Sequence, residues 1–266
     1  MIDHVLRGTS RWHLEQGNAL EILKLLPDAS VDAVIADPPY SSGGQTHAAR
    51  AQSPSSKYVQ SGTKRQLPDF DGDNRDQRSF GYWCSLWLQE CLRVTKPGAP
   101  IALFTDWRQL PTTTDALQAG GWIWRGIVPW DKSANVRPQR GRFANGAEYV
   151  VWGSNGPMPA NRGVGCLPGL VRGGVNHRLK LHIAGKPPEV MQQLVQICEP
   201  GGVVLDLFAG SASTGVACLR EGYRFLGIEL TPVYAHIARK RMVDAEVELA
   251  TDKPRKRRPA ELAATA

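Results

Sequence analysis

Apolar residues in this chain come in short blocks, and the period within them switches between that of a strand and that of a helix. Residues 31–36, 100–105, 123–128, 148–152, 203–207 and 225–228 are brief apolar runs, the form taken by strands buried on both faces. Residues 19–26, 82–94, 108–119, 188–198, 213–221 and 232–248 read as helices. The alternation predicts an α/β fold: a doubly wound, mostly parallel sheet with ligands at the C-terminal ends of its strands. Trp83, Trp87, Trp107 and Trp122 accompany the amphipathic helices and read as core or subunit-interface residues, because contact patches favour aromatics.

Two stretches carry no such period. Residues 41–79 are rich in Ser, Gln, Gly and charge, and are expected to form a mobile loop. Asp69, Asp71, Asp73 and Asp76 within it miss the offsets of a calcium loop. Residues 253–266, opening Lys253-Pro254-Arg255-Lys256-Arg257-Arg258, are expected to be a basic disordered tail. The remaining 1–252 reads as one domain, and 42% hydrophobic content over 266 residues suffices for its core. No run of 18 apolar residues exists and residues 1–10 have no signal-like stretch, so a soluble, cytoplasmic protein without a membrane part is expected. Cys84, Cys91, Cys166, Cys198 and Cys218 are scattered and odd in number, which reads as reduced thiols. With His177 and His182, Cys166 gives no metal-ligand spacing, and no metal is expected.

Candidate chemistry sits at two strand ends. The strand over 31–36 runs into Asp37-Pro38-Pro39-Tyr40. The two prolines keep their carbonyls but lack N–H groups, so the Asp37 carboxylate and the Pro38 carbonyl make a rigid, acceptor-only clamp. A planar NH₂ complements that clamp, and the Tyr40 ring can stack on the ring that carries it. An ordinary strand-ending turn with a surface tyrosine is the alternative. Far downstream, the strand over 203–207 leads through Phe208-Ala209-Gly210-Ser211 into a helix that Ser211, Ser213 and Thr214 can cap, and the next strand ends at Glu229. Strand, glycine turn, helix, strand, acid is the layout that holds a nucleoside, with the acid on the ribose hydroxyls. The turn lacks the Lys-Ser/Thr of a triphosphate loop and the spacing of a dinucleotide fingerprint. A bare βαβ unit with a structural glycine is the alternative here.

In this order, the clamp and the turn resemble the S-adenosylmethionine-dependent DNA amino-methyltransferases of the beta class. The likeness runs from about residue 11 to 242 and includes Leu92-Arg93-Val94-Thr95-Lys96-Pro97-Gly98, Val128-Pro129-Trp130-Asp131-Lys132, the strand carrying Glu148, and His182-Ile183-Ala184-Gly185-Lys186-Pro187-Pro188. It implies a catalytic half over 11–152, a target-recognition insertion over about 153–180 and a cofactor-binding half over 181–248. It also implies a cofactor, S-adenosyl-L-methionine, held by Asn18, Lys186, Asp206, Phe208, Ala209, Gly210, Ser211, Ser213, Thr214, Glu229 and Leu230. Asp206 and Lys186 are assigned to the amino-acid end. Catalysis falls to Asp37, Pro38, Pro39 and Tyr40. Three departures stand out. Ala212 replaces a common glycine, which the turn tolerates if residue 212 is already helical. Asn18 replaces an acid and can still accept a hydrogen bond, and Ala184 replaces a threonine.

Charge adds a partner. Residues 125–186 hold ten Lys/Arg against Asp131 and Glu148, a net of +8 where the whole chain carries +7. One basic segment on a neutral body is the footprint of a polyanion-binding face, with a merely solvated surface as the alternative. Lys132, Arg137, Arg140, Arg162, Arg172, Asn176, His177 and Arg178 are the candidate contacts to double-stranded DNA. The expected activity is methylation of the N6 amine of adenine in duplex DNA after base flipping. Asp before Pro-Pro-Tyr inclines the resemblance to adenine over the N4 amine of cytosine. A DNA-binding protein that holds the cofactor but has lost catalysis is the reading of another class, prompted by Ala212 and Asn18. A homodimer and a partner restriction endonuclease stay open.

Overall fold

Seven of the eight described strands run in one direction. They are β1 (Trp12–Gln16), β2 (Ala33–Ala36), β3 (Pro100–Thr105), β4 (Ile123–Asp131), β6 (Val171–Arg172), β7 (Val203–Asp206) and β8 (Arg224–Glu229). The eighth, β5 (Ala147–Ser154), is antiparallel to both its neighbours, β3 and β4. The sheet order is β1-β8-β7-β2-β3-β5-β4-β6. This computed structural model describes residues 1–41, 75–132, 140–141, 143–174 and 185–251. The expected 253–266 tail therefore lies outside the described residues, as does most of 41–79.

Four helices cover one face: α1 (Ile2–Leu6), α2 (Ala19–Leu23), α3 (Gln77–Val94) and α4 (Leu110–Ala119). Three cover the other: α5 (Pro188–Val195), α6 (Ser213–Glu221) and α7 (Pro232–Thr251). Two apolar layers result, one on each side of the central strands, whose side chains are buried whichever way they point: β2, β3 and β7 have no exposed position. The doubly wound α/β fold is as expected. From β2 the chain moves to β3 and beyond, and from β7 it moves to β8, so the winding reverses between β2 and β7. A crevice opens at such a reversal, at the carboxyl ends of the two strands.

Differences from the sequence reading have local causes. The 41–79 stretch ends earlier than expected, because the Asp76 carboxylate accepts the Ser79 N–H at 2.8 Å and starts α3 at Gln77. β1 escapes the apolar pattern because only Leu14 among its five residues is fully buried. α1 and β6 are too short to show a period. α6 lies close on β8 because residue 215 is glycine: a Cβ there would stand 2.7 Å from the Phe225 ring and 2.6 Å from the Met242 sulfur. All five cysteines are free, four of them buried and Cys166 exposed. Trp87 and Trp122 belong to the core, whereas Trp107 is exposed. No described helix is long and apolar enough to cross a membrane.

Candidate active site

β2 delivers Asp37 to the crevice and β7 delivers Asp206. The pairing of Ala33 with Val204 and Val34 with Leu205 sets these strand ends side by side. Two segments remote in sequence thus meet across one opening.

Asp37 is the hub of a buried polar cluster. Lys186 Nζ donates to both of its oxygens, at 2.7 and 2.6 Å, and the Tyr40 hydroxyl donates to Oδ1 at 2.7 Å. That hydroxyl also lies 3.3 Å from Glu148 Oε2, and Lys186 Nζ lies 3.5 Å from the same oxygen. Lys132 Nζ donates to the other oxygen, Glu148 Oε1, at 2.9 Å. Lys186 itself is 8% exposed and sits between two rings, 5.1 Å from the Tyr40 centroid and 4.9 Å from that of Phe104. Two carboxylates and two ammonium groups balance one another there.

Electrostatics separate the two acids. Burial raises the Asp37 carboxyl above its ordinary value, and the Lys186 ammonium takes back only part of the rise. Burial pushes Glu148 upward too, but Lys186 and Lys132 overrule it and hold it below its ordinary value. Burial pulls the Lys186 ammonium down, and Asp37 with Glu148 more than reverses that, leaving it above its ordinary value. The Tyr40 hydroxyl, buried beside two acids, is pushed far up and stays protonated.

These contacts engage two of the expected site residues. Lys186, expected at the amino-acid end of a cofactor, is bound to Asp37. Lys132, expected on DNA, is bound to Glu148. Glu148 itself was not among the expected site residues, although its signal was present: it is one of only two acids in a strongly basic segment and opens an apolar strand.

The turn after β7 is tied down from three sides. Asp206 accepts the Thr214 hydroxyl and, at 3.0 Å, the Phe208 N–H. Glu229 accepts the Gly210 N–H at 2.7 Å and the Thr231 N–H at 2.8 Å, one on each oxygen. Arg241, on α7, donates to the Ser211 carbonyl at 2.9 Å and reaches the Ser211 and Ser213 hydroxyls at 3.2 and 3.1 Å. Those serines do not cap α6 with their side chains. Nor is residue 212 helical: Ala212 is left-handed, at φ 59° and ψ 41°, so its methyl group costs strain that a glycine would escape. The Phe208 ring turns to the core, 5.5 Å from Trp83 and 5.3 Å from Trp87. Asn18 caps α2 by accepting the Leu20 N–H at 3.0 Å, next to the end of β8 where Gly17 donates to the Glu229 carbonyl. Leu230 is half-exposed beside them.

Burial pushes the Asp206 carboxyl up to about 7, against the bonds from Thr214 and Phe208. Its unfolded value is lower, so between the two the folded protein holds the extra proton and stability falls as pH rises. Asp206→Asn, which keeps an acceptor for Phe208 and a donor for Thr214, is expected to remove a pH-dependent share on the order of 2–3 kcal/mol between pH 5 and 8. Urea unfolding of both proteins at the two pH values measures it. Equal pH dependence would show that Asp206 is not the group responsible.

The basic residues divide. Arg172 has an exposed side chain, 3.7 Å from Asp131, and Arg140 is exposed. Arg162 is turned inward, bonded to Glu199 at 2.7 Å and to the Ile197 carbonyl, which ties its loop to the end of α5 rather than presenting it to DNA. Arg137, Asn176, His177 and Arg178 lie outside the described residues. The expected 153–180 insertion starts away from the crevice, and its β6 returns to the C-terminal end of β4. Ser154 pairs with Pro100 and Ile123, the first residues of β3 and β4, so the chain leaves β5 at the end of the strands opposite Asp37.

Comparison with known proteins places this architecture. Residues 31–162 and 168–240 match the family described as DNA methylase. The type II methyltransferase M.HinfI of Haemophilus influenzae is 27% identical over 250 residues, which cover 85% of this chain and 67% of that protein. The putative methylase YubD of Escherichia coli (strain K12) is 25% identical over 228 residues, covering 85% and 88%. Among solved structures, the complex of M1.HpyAVI with SAM superposes with a TM-score of 0.62 at 21% identity, covering 87% of this chain and 98% of that one. PvuII DNA methyltransferase, cytosine-N4-specific, gives 0.63 at 16%, covering 92% and 94%. The family match spans most of the sequence, and the chain belongs to the DNA methylase family, the S-adenosylmethionine-dependent methyltransferases of exocyclic amines that its clamp and glycine turn resemble.

Proposed function

We propose that the protein transfers a methyl group from S-adenosyl-L-methionine to the N6 amine of adenine in duplex DNA, on a base swung out of the stack. One observation carries the reading: the Asp37 carboxylate stands at the end of β2, hydrogen-bonded neighbour to the strand that launches the glycine turn. The residues of that turn suit the cofactor. Each Glu229 oxygen accepts one backbone N–H and keeps a lone pair for a ribose hydroxyl. When bound, the cofactor supplies an electrophilic methyl group. The protein's own part is to aim the nucleophile. Asp37 and the Pro38 carbonyl accept hydrogen bonds from the two amine N–H groups, drawing the nitrogen lone pair out of conjugation, while the Tyr40 ring stacks on the base.

Methylation of the cytosine N4 amine is the second reading, and the similarity to the cytosine-N4-specific PvuII enzyme favours keeping it. Both bases present the same planar NH₂. Asp before Pro-Pro-Tyr weighs for adenine. Incubating the protein with duplex DNA and a labelled methyl donor, then digesting to nucleosides, decides: label in N6-methyladenine supports the first reading, label in N4-methylcytosine the second, and no label sinks both. Glu229→Ala is expected to weaken cofactor binding by roughly a hundredfold or more, since two hydrogen bonds to a charged group are lost. Calorimetric titration measures this, and parent affinity would remove Glu229 from the ribose site.

A further inference from the structure

Methylation of an amine leaves one proton to be disposed of, and the cluster around Asp37 contains more than an amine clamp needs. We propose that the released proton leaves by a built route, from Asp37 through the Tyr40 hydroxyl to Glu148 and on to solvent, with Lys186 holding the two carboxylates in place. The proposal deepens the methyltransferase reading and rests on it.

The geometry fits a relay. The Tyr40 oxygen is 2.7 Å from Asp37 Oδ1 and 3.3 Å from Glu148 Oε2, so one hydroxyl spans the two carboxylates. Lys186 bonds Asp37 at 2.6 and 2.7 Å and lies 3.5 Å from Glu148, which fixes their separation. The Asp37 and Glu148 side chains are each 20% exposed and Lys132, on the far Glu148 oxygen, is 18% exposed, so a base held on Asp37 would cover that carboxylate and leave Glu148 as the station that meets water. The other acids near the cluster, Asp106 toward Tyr40 and Asp206 toward Asp37, have no such bridge to it.

The chemistry balances. Attack by the amine nitrogen forms the N–C bond and breaks the C–S bond, whose electron pair stays on sulfur. The nitrogen then carries one proton in excess, which the Asp37 carboxylate accepts. Once Asp37 is protonated, the Tyr40 O–H, which donates to Asp37 at rest, rotates toward Glu148, and its oxygen takes the proton from Asp37 as its own passes to Glu148, so the tyrosine ends as it began. Glu148, held below its ordinary pKa by two ammonium groups, gives the proton to water. No further reactant is needed. Glu148 and Lys186 act through other groups, as relay and positioning residues.

The test follows both products of one turnover. Rapid mixing in weak buffer with a pH indicator times proton appearance, and quenched samples time labelled methyl transfer to duplex DNA. In the unaltered protein one proton appears with each methyl group. In Glu148→Gln and in Tyr40→Phe, which keeps the stacking ring, the proton is expected to lag behind the methyl group with a rate lower by about tenfold or more. Glu148→Asp, which restores a carboxylate, is expected to shorten the lag, as a merely structural defect would not. If Glu148→Gln does not fold, Tyr40→Phe decides alone. Simultaneous proton and methyl release in the folded variants overturns the route and leaves the methyltransferase reading standing. Absence of methyl transfer by the unaltered protein overturns that reading and the route with it.

Discussion

Asp37→Ala is expected to lower the rate of methyl transfer by roughly a thousandfold or more, while cofactor binding stays measurable. The carboxylate is the charged member of the amine clamp, and a preorganised acceptor in a water-poor site contributes on the order of 10²–10⁴ in rate. Its loss also leaves the Lys186 ammonium with Glu148 alone, at 3.5 Å. Asp37→Asn keeps one acceptor oxygen without charge and is expected to recover part of the rate. Single-turnover transfer of labelled methyl to duplex DNA gives the rate, and calorimetry gives the binding. Full activity in Asp37→Ala would end the proposed mechanism. The pH dependence has a definite sign: the acceptor works ionised and its pKa is raised by burial, so activity is expected to fall on acidification sooner than for an ordinary aspartate.

Phe225→Ala is the second large effect, and it concerns stability. Phe225 is fully buried in β8, and its ring fills the space left by the absent side chains of Gly215 and Gly227. Removing it opens a cavity directly beneath the helix that carries the cofactor turn. A buried Phe→Ala change costs about 3–5 kcal/mol, and for a chain of this size that corresponds to a drop in Tm of roughly 6–20 °C. Thermal unfolding followed by circular dichroism measures it. A shift of only a degree or two would mean that α6 settles onto β8 without the ring.

Much of this architecture was legible because period and burial agree. The central strands are buried on both faces and read as continuous apolar runs, and α3 and α5 carry clear stripes. What the sequence left unsaid has physical reasons. β1 lies at the sheet edge, where Trp12, His13 and Glu15 are half-buried and the apolar signal fades. The reversed direction of β5 leaves no trace in a pattern of apolar residues, since parallel and antiparallel pairing bury the same side chains. The site divides in the same way. Asp37, Tyr40, Asp206 and Glu229 announce themselves by standing at strand ends, where the backbone aims them. Glu148, Lys132, Lys186 and Arg241 are placed by contacts with distant segments, 16 to 149 residues away for the ion pairs among them. Ala212 shows the limit from the other side: the residue type argued for helix, and the turn held it left-handed regardless.

The direction of β5 has a practical consequence for retargeting. A reversed strand between β3 and β4 sends its two flanking connections to opposite rims: the one joining Asp131 to Ala147 begins and finishes beside the base pocket, and the one departing after Ser154 starts at the distal rim. On the proposed function, segments grafted between residues 132 and 146 are expected to shift sequence preference more than swaps just past residue 154, which fall at the far end of the sheet.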